Sequence, residues 1–131
     1  MKKLLLICFL IFCVGNLFSQ TDAKFNLIGT WKGTDDSNQT GYMKFTDSSN
    51  VIINAPGDQV LNSTYTVDFS KVPALIDLTT TVDNISRTLP GFLLIVDQNT
   101  IKWQVFFDKV RPEKPVEETA ENTLQFKRVT E

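Results

Sequence analysis

The chain of 131 residues contains no histidine, and its two cysteines, Cys8 and Cys13, both lie within residues 1–19. Without histidine there is no Ser-His or Cys-His nucleophile and no typical zinc site. With no cysteine from Gln20 onward there is no disulfide, so that part of the chain must be held by its core alone. Glycine-rich phosphate loops of the Gly-x-Gly-x-x-Gly or Gly-Lys-Ser/Thr kind are also missing. Positive charge is scarce. The formal net charge is −2, and Lys2 and Lys3 supply two of the positive charges, so the segment from Gln20 carries −4. That balance argues against a nucleic-acid surface or an anionic membrane as partner. No internal repeat, low-complexity tract or long run of like charges divides the chain, and no segment is periodic enough for a crossover helix.

What is present begins with a leader. Lys2 and Lys3 precede an almost unbroken apolar run from Leu4 to Val14, and Asn16-Leu17-Phe18-Ser19 ends it on a small residue. This order reads as a secretory signal peptide over 1–19, cleaved after Ser19. The run is too short for a hydrocarbon core of ~30 Å, which needs ~20 residues, so no membrane insertion is expected after cleavage. Neither cysteine has the small preceding residues of a lipid-anchor site. The expectation is an exported protein, periplasmic or released, with one domain over residues 20–131, an ordinary single-domain size.

The rest reads as strands and turns. Ile28 to Gly33 forms a first strand, and Asp35-Asp36-Ser37-Asn38 ends it with turn-forming side chains. Gly41 to Thr46 places Met43 and Phe45 on one face. Asp47-Ser48-Ser49-Asn50 turns into Val51-Ile52-Ile53, and Pro56-Gly57-Asp58 turns again. Ser63 to Phe69 alternates with Tyr65, Val67 and Phe69 inward. Ala74 to Thr80 carries Ile76 and Leu78 on one face, and Asp83-Asn84 reverses it. Pro90-Gly91 precedes the apolar run Phe92 to Val96, and Asp97-Gln98-Asn99 is a hairpin turn. Thr100 to Phe106 sets Ile101, Trp103 and Val105 on one face. Arg111 to Glu121 is a loop rich in proline and glutamate, with one helical turn over 117–121. Thr123 to Val129 is the last strand, with Leu124, Phe126 and Arg128 together.

Eight strands joined mostly by hairpins predict an all-β fold, an eight-stranded antiparallel up-and-down β-barrel, since closure removes the exposed edges. The competing architecture is a two-sheet sandwich. Gly29-Thr30-Trp31 opens the first strand and Arg128 closes the last; in a closed meander these are neighbours, and the guanidinium can lie over the indole. Here the chain resembles the lipocalin-like (calycin) barrels, whose signature is a Gly-x-Trp at the start and an arginine across it in the final strand. It is similar, within that group, to a family of small secreted bacterial proteins with no established activity. That likeness rests on Gly29-Thr30-Trp31-Lys32, Tyr65-Thr66-Val67-Asp68, Lys71-Val72-Pro73, Ile76-Asp77-Leu78, Gly91, Arg111-Pro112 and Leu124 to Arg128, in order along the chain. The resemblance implies the fold, export and a structural role for Gly29, Trp31 and Arg128. Lipid-carrying lipocalins are usually longer and have a large lid loop after the first strand. Here that connection is only Thr34 to Thr40, which implies a small or packed interior.

The chemistry expected of the remaining residues is binding rather than catalysis. Asp35-Asp36 and Glu117-Glu118 sit in a turn and a charged loop, where carboxylates do not converge on one substrate, and no catalytic residue is expected. Asp35 to Asn38 offers oxygen ligands but not the alternating spacing of a calcium loop, so no metal or other cofactor is expected. Asn38, Asn62 and Asn84 fit glycosylation sequons but read as turn and strand-edge residues in a bacterial protein. An inner face of Met43, Phe45, Tyr65, Val67, Trp103 and Val105 forms either an apolar pocket or plain core. Arg111, flanked by Lys109 and Pro112, is placed at the barrel mouth as a group for a ligand carboxylate, or else as a loop charge paired with Glu113 or Glu117. The expected partner is a small, partly apolar molecule bound by a monomer. The alternative is a protein-interaction or inhibitor module with a packed core.

Overall fold

The structure, a computed structural model, describes residues 24–35, 37–107 and 110–130. The expected leader over 1–19 lies outside the described residues, as do Asp36, Asp108 and Lys109. Eight strands follow one another: β1 (Gly29–Thr34), β2 (Thr40–Phe45), β3 (Asn50–Ala55), β4 (Gln59–Asp68), β5 (Ala74–Val82), β6 (Ile85–Asp97), β7 (Thr100–Val105) and β8 (Thr123–Arg128). Each pairs antiparallel with the next, and β1 pairs with β8 through Trp31↔Arg128, Lys32↔Lys127 and Gly33↔Phe126. The sheet is therefore a closed eight-stranded antiparallel barrel, and the sandwich is excluded.

Alternation fills the interior. Trp31, Met43, Phe45, Val51, Tyr65, Ile76, Leu78, Leu93, Ile101, Trp103 and Phe126 form one buried cluster inside the closed sheet. Turn chemistry sets the register. Asp83 and Asn84 both take left-handed backbone, φ 53° and 64°, the pair of positive angles that a two-residue hairpin with the right-handed twist requires. Asp47 and Asp97 each accept backbone amides from residues two ahead, Ser49 and Asn99, at 2.8 Å, which closes their turns.

Three local expectations are corrected. Pro90 and Gly91 do not precede a strand; they lie inside the 13-residue β6. The Pro90 carbonyl accepts from the Phe106 amide, just beyond the end of β7. The missing N–H of Pro90 therefore faces a place where no ladder bond is needed. Phe69 follows β4 rather than pointing inward from it. It is 44% exposed and rests on the Phe25 ring at 6.0 Å. No helical turn forms over 117–121; instead Asn122 and Thr123 amides both bond to the Thr119 carbonyl in a tight turn. The run Phe92 to Val96 is buried on both faces at its start. Leu93 points inward, while Phe92 points outward and meets Phe106 edge-on at 5.8 Å.

Segment 110–122 straps across the outside of the barrel. Gln104, fully buried and outward, uses its amide like a peptide group: Nε2 donates to Val116 O at 2.9 Å and Oε1 accepts from Val116 N at 3.0 Å. Lys102 pairs with Glu118 at 2.9 Å, and Arg111 pairs with Asp77 on β5 while reaching the Ile76 carbonyl. Arg111 is thus neither at the barrel mouth nor paired with Glu113 or Glu117. Its partly buried ion pair pins the start of the strap. Arg111→Met is expected to lower stability by about 1–2 kcal/mol, because Asp77 loses its charged donor. Hydrogen exchange should rise first over 110–122 and least in β3 and β4.

Candidate functional site

The two ends of the barrel are built differently. At one end lie the turns β2–β3, β4–β5 and β6–β7 with the start of β1 and the end of β8; at the other lie the turns β1–β2, β3–β4 and β5–β6 and the long β7–β8 connection.

The first end is plugged. Trp31 is fully buried, its indole N–H donates to Leu27 O at 2.9 Å, and Arg128 stands 4.2 Å above its ring centroid. The Arg128 guanidinium donates to the carbonyls of Ile28, Asn26 and Gln98 at 2.6–3.2 Å, which ties the N-terminal segment and the β6–β7 turn across the opening. Gly29 makes this approach possible: its φ is +131°, and a Cβ there would stand 3.2 Å from Arg128 Nη1. Gly29, Trp31 and Arg128 therefore form one structural unit, closing the barrel floor.

Tyr65 belongs to the same end. Its hydroxyl donates to the Asp47 carbonyl at 2.6 Å, and its ring meets Phe45 edge-on at 4.8 Å. Burial, with a smaller push from the Asp47 charge, raises the phenol above its ordinary value of 10.0. A group held neutral by the fold stabilises it fully below pH 10 and loses that contribution as pH climbs from 10 through the raised value. Urea denaturation of Tyr65→Phe is expected to show lower stability at pH 7 and a shallower alkaline decline than wild type.

The second end is open. A cavity of about 430 Å³ enters the barrel there, within the range of ~300–1,000 Å³ typical of small-molecule sites. Met43, Trp103 and Phe126 form its floor, and Ile53, Leu61, Leu78, Leu89 and Leu124 its walls. The polar groups collect at the rim, where Thr34, Gln39 and Thr80 border the opening. Two glycines stand behind the aromatic side chains of the floor. A Cβ on Gly33 would come within 2.6 Å of the Phe126 ring, and one on Gly91 would stand 2.6 Å from Trp103 Nε1. At both positions the missing Cβ lets an aromatic side chain approach the backbone closely. The Trp103 indole N–H is buried against this wall with no hydrogen-bond partner.

Of the residues singled out by alternation, the structure brings Met43 and Trp103 to the cavity. Phe45, Tyr65 and Val67 do not border it; Phe45 and Tyr65 pack toward the plugged end. Val105 is buried and borders a separate cleft of about 470 Å³ between the end of β7 and the strap. Arg111 lies on the outer wall. Sequence reasoning passed over Leu61 and Leu89. Both hold the same two-residue period as inward neighbours, Leu61 with Ser63 and Tyr65, Leu89 with Gly91 and Leu93, and that period is the signal that finds them.

Asp35 also borders the mouth, but its carboxylate is turned onto its own loop, accepting the Ser37 and Gln39 amides at 2.8 and 2.9 Å. Among the described residues no group of three or more cysteine, aspartate or glutamate side chains is arranged to hold a metal ion. The arrangement offers an apolar pocket with a hydroxyl-bearing rim. No protein-family model matches the chain, and neither a curated protein nor a solved structure matches it.

Proposed function

We propose that this chain is an exported, lipocalin-like binding module whose open barrel end holds one small, largely apolar molecule. One observation carries the reading: a closed barrel plugged at one end leaves an apolar cavity of about 430 Å³ at the other. The leader-like segment over residues 1–19 supports export, and the Gly29-x-Trp31 and Arg128 unit supports the lipocalin-like assignment. No catalytic step is part of the proposal.

The test is titration with the neutral fluorophore N-phenyl-1-naphthylamine, read by its own emission and by quenching of Trp103. Saturable one-to-one binding, lost in Leu89→Trp because the new ring fills the cavity, supports the reading. Leu89→Trp binding as tightly as wild type contradicts it, as does the absence of saturable binding to wild type.

A second reading has its own observation. Val60, Val82, Ile85, Phe107 and Val110 stand 60%, 49%, 72%, 52% and 91% exposed around the open end, a set suited to contact with another protein. The same fluorophore separates the two, since a protein-contact module needs no internal site.

A further inference from the structure

One stretch of the closed sheet keeps an open strand edge. β6 is 13 residues long, and β5 pairs with it from Ile85 to Leu93. β7 is 6 residues long and pairs with β6 only from Gly91 to Asp97. The Phe106 amide adds one last bond, to the Pro90 carbonyl, and the chain then leaves β6; by Arg111 it has reached Asp77 on β5. Among the described residues, 85–89 therefore have a strand on one side only. Backbone groups two residues apart in a strand face the same way. The Pro90 carbonyl faces the β7 side, so the N–H and C=O of Thr88 and Ser86 face it too, while those of Ile85, Arg87 and Leu89 face β5. No described residue bonds to these edge groups of Ser86 and Thr88, and both residues are exposed.

We propose that this edge receives an extended peptide segment of a partner protein, added antiparallel to β6 along the line that β7 leaves vacant. Donor and acceptor repeating at every second residue are the groups that an extended backbone matches one for one. The added strand exchanges N–H and C=O bonds with Thr88 and again with Ser86. Its alternate side chains share a face with Ile85, which is 72% exposed, so an apolar residue there covers Ile85. A second copy of this chain is the poorer occupant. Setting Ser86 against Thr88 of the copy places the two Arg87 side chains directly opposite, and like charges so placed are destabilising. Neither Ser86 nor Thr88 borders the cavity, so the edge is a site separate from it.

The probe is the capped peptide Glu-Thr-Val-Thr-Val-Thr-Glu, titrated into the folded protein while amide exchange is followed by nuclear magnetic resonance. Saturable binding is expected, with exchange slowed at Ser86 and Thr88 and little changed at Arg87, whose amide already faces β5. Thr88→Pro removes one edge donor and leaves the β5–β6 ladder whole, as Pro90 does one step along. It is expected to weaken the peptide about tenfold, the ratio that one lost hydrogen bond provides, with urea denaturation showing that the variant is folded. The same peptide N-methylated at its central residues is expected to lose binding to wild type, a test that needs no variant. Absence of saturable binding at millimolar peptide overturns the edge site. So does binding that leaves Ser86 and Thr88 exchange unchanged, or that survives either N-methylation or Thr88→Pro. Any of these results alongside saturable naphthylamine binding removes the edge site alone and leaves the cavity standing.

Discussion

Trp31→Ala is expected to lower the free energy of unfolding by about 3–5 kcal/mol, a large part of the roughly 5–15 kcal/mol that holds an ordinary domain. Three contributions add. The indole is fully buried, so its removal leaves a void that the surrounding strands cannot close. The ring under Arg128 disappears, which takes away a cation–π contact at 4.2 Å. The Leu27 carbonyl loses the indole N–H that held the N-terminal segment over the barrel floor. Urea denaturation followed by far-ultraviolet circular dichroism measures the loss. Trp31→Phe serves as the second variant if alanine does not fold. It keeps most of the volume but loses the indole N–H, and is expected to retain the fold at an intermediate stability.

The next largest effect is expected at Gly91, for the opposite reason. Its backbone is ordinary β, so an alanine there carries no left-handed strain. The added methyl instead runs into the Gln104 backbone carbonyl and comes within 2.6 Å of Trp103 Nε1. The carbonyl belongs to the β6–β7 ladder and cannot yield without breaking register, so the methyl must displace strand and ring together. Overpacking of this kind reaches about 3 kcal/mol. The indole is also driven off the wall and into the cavity. Gly91→Ala is therefore expected to lose naphthylamine binding at temperatures where it remains folded. A variant that folds as stably as wild type and binds the fluorophore equally would show that Trp103 does not set the cavity floor.

Much of the fold can be read from the residues, because its signals are local. Strict alternation around Met43, Tyr65, Ile101 and Phe126 identifies inward faces without knowledge of their partners. Asp83-Asn84 and Asp97-Gln98-Asn99 announce reversals through turn chemistry confined to a few residues. The Trp31–Arg128 contact needs only one further assumption, closure, which makes the first and last strands neighbours.

What stays hidden is non-local. Pro90 looks like a break because a proline cannot donate to a ladder; only the position where β7 stops makes that donor unnecessary. Alternation fades at Phe92 because Phe106 meets its outward face while the core takes Leu93 on the inner one. The strap itself is fixed by Gln104 and by Asp77, which lies 34 residues from its partner Arg111, a separation at which sequence carries no pairing signal. The cavity is hidden for a different reason. Periodicity says which side chains point inward, not whether they meet. Whether Leu61, Leu78 and Leu89 touch or leave a space depends on the barrel's width and on two glycines, Gly33 and Gly91, that let the aromatic floor lie low.

The central claim is that the open end of the barrel is a receptacle. Native mass spectrometry of the protein, purified without detergent and incubated with N-phenyl-1-naphthylamine, tests it most directly. The account predicts one added molecule per chain, released when the barrel is unfolded and absent from Leu89→Trp. A spectrum with the bare protein mass alone, from folded wild type at saturating probe, would contradict it.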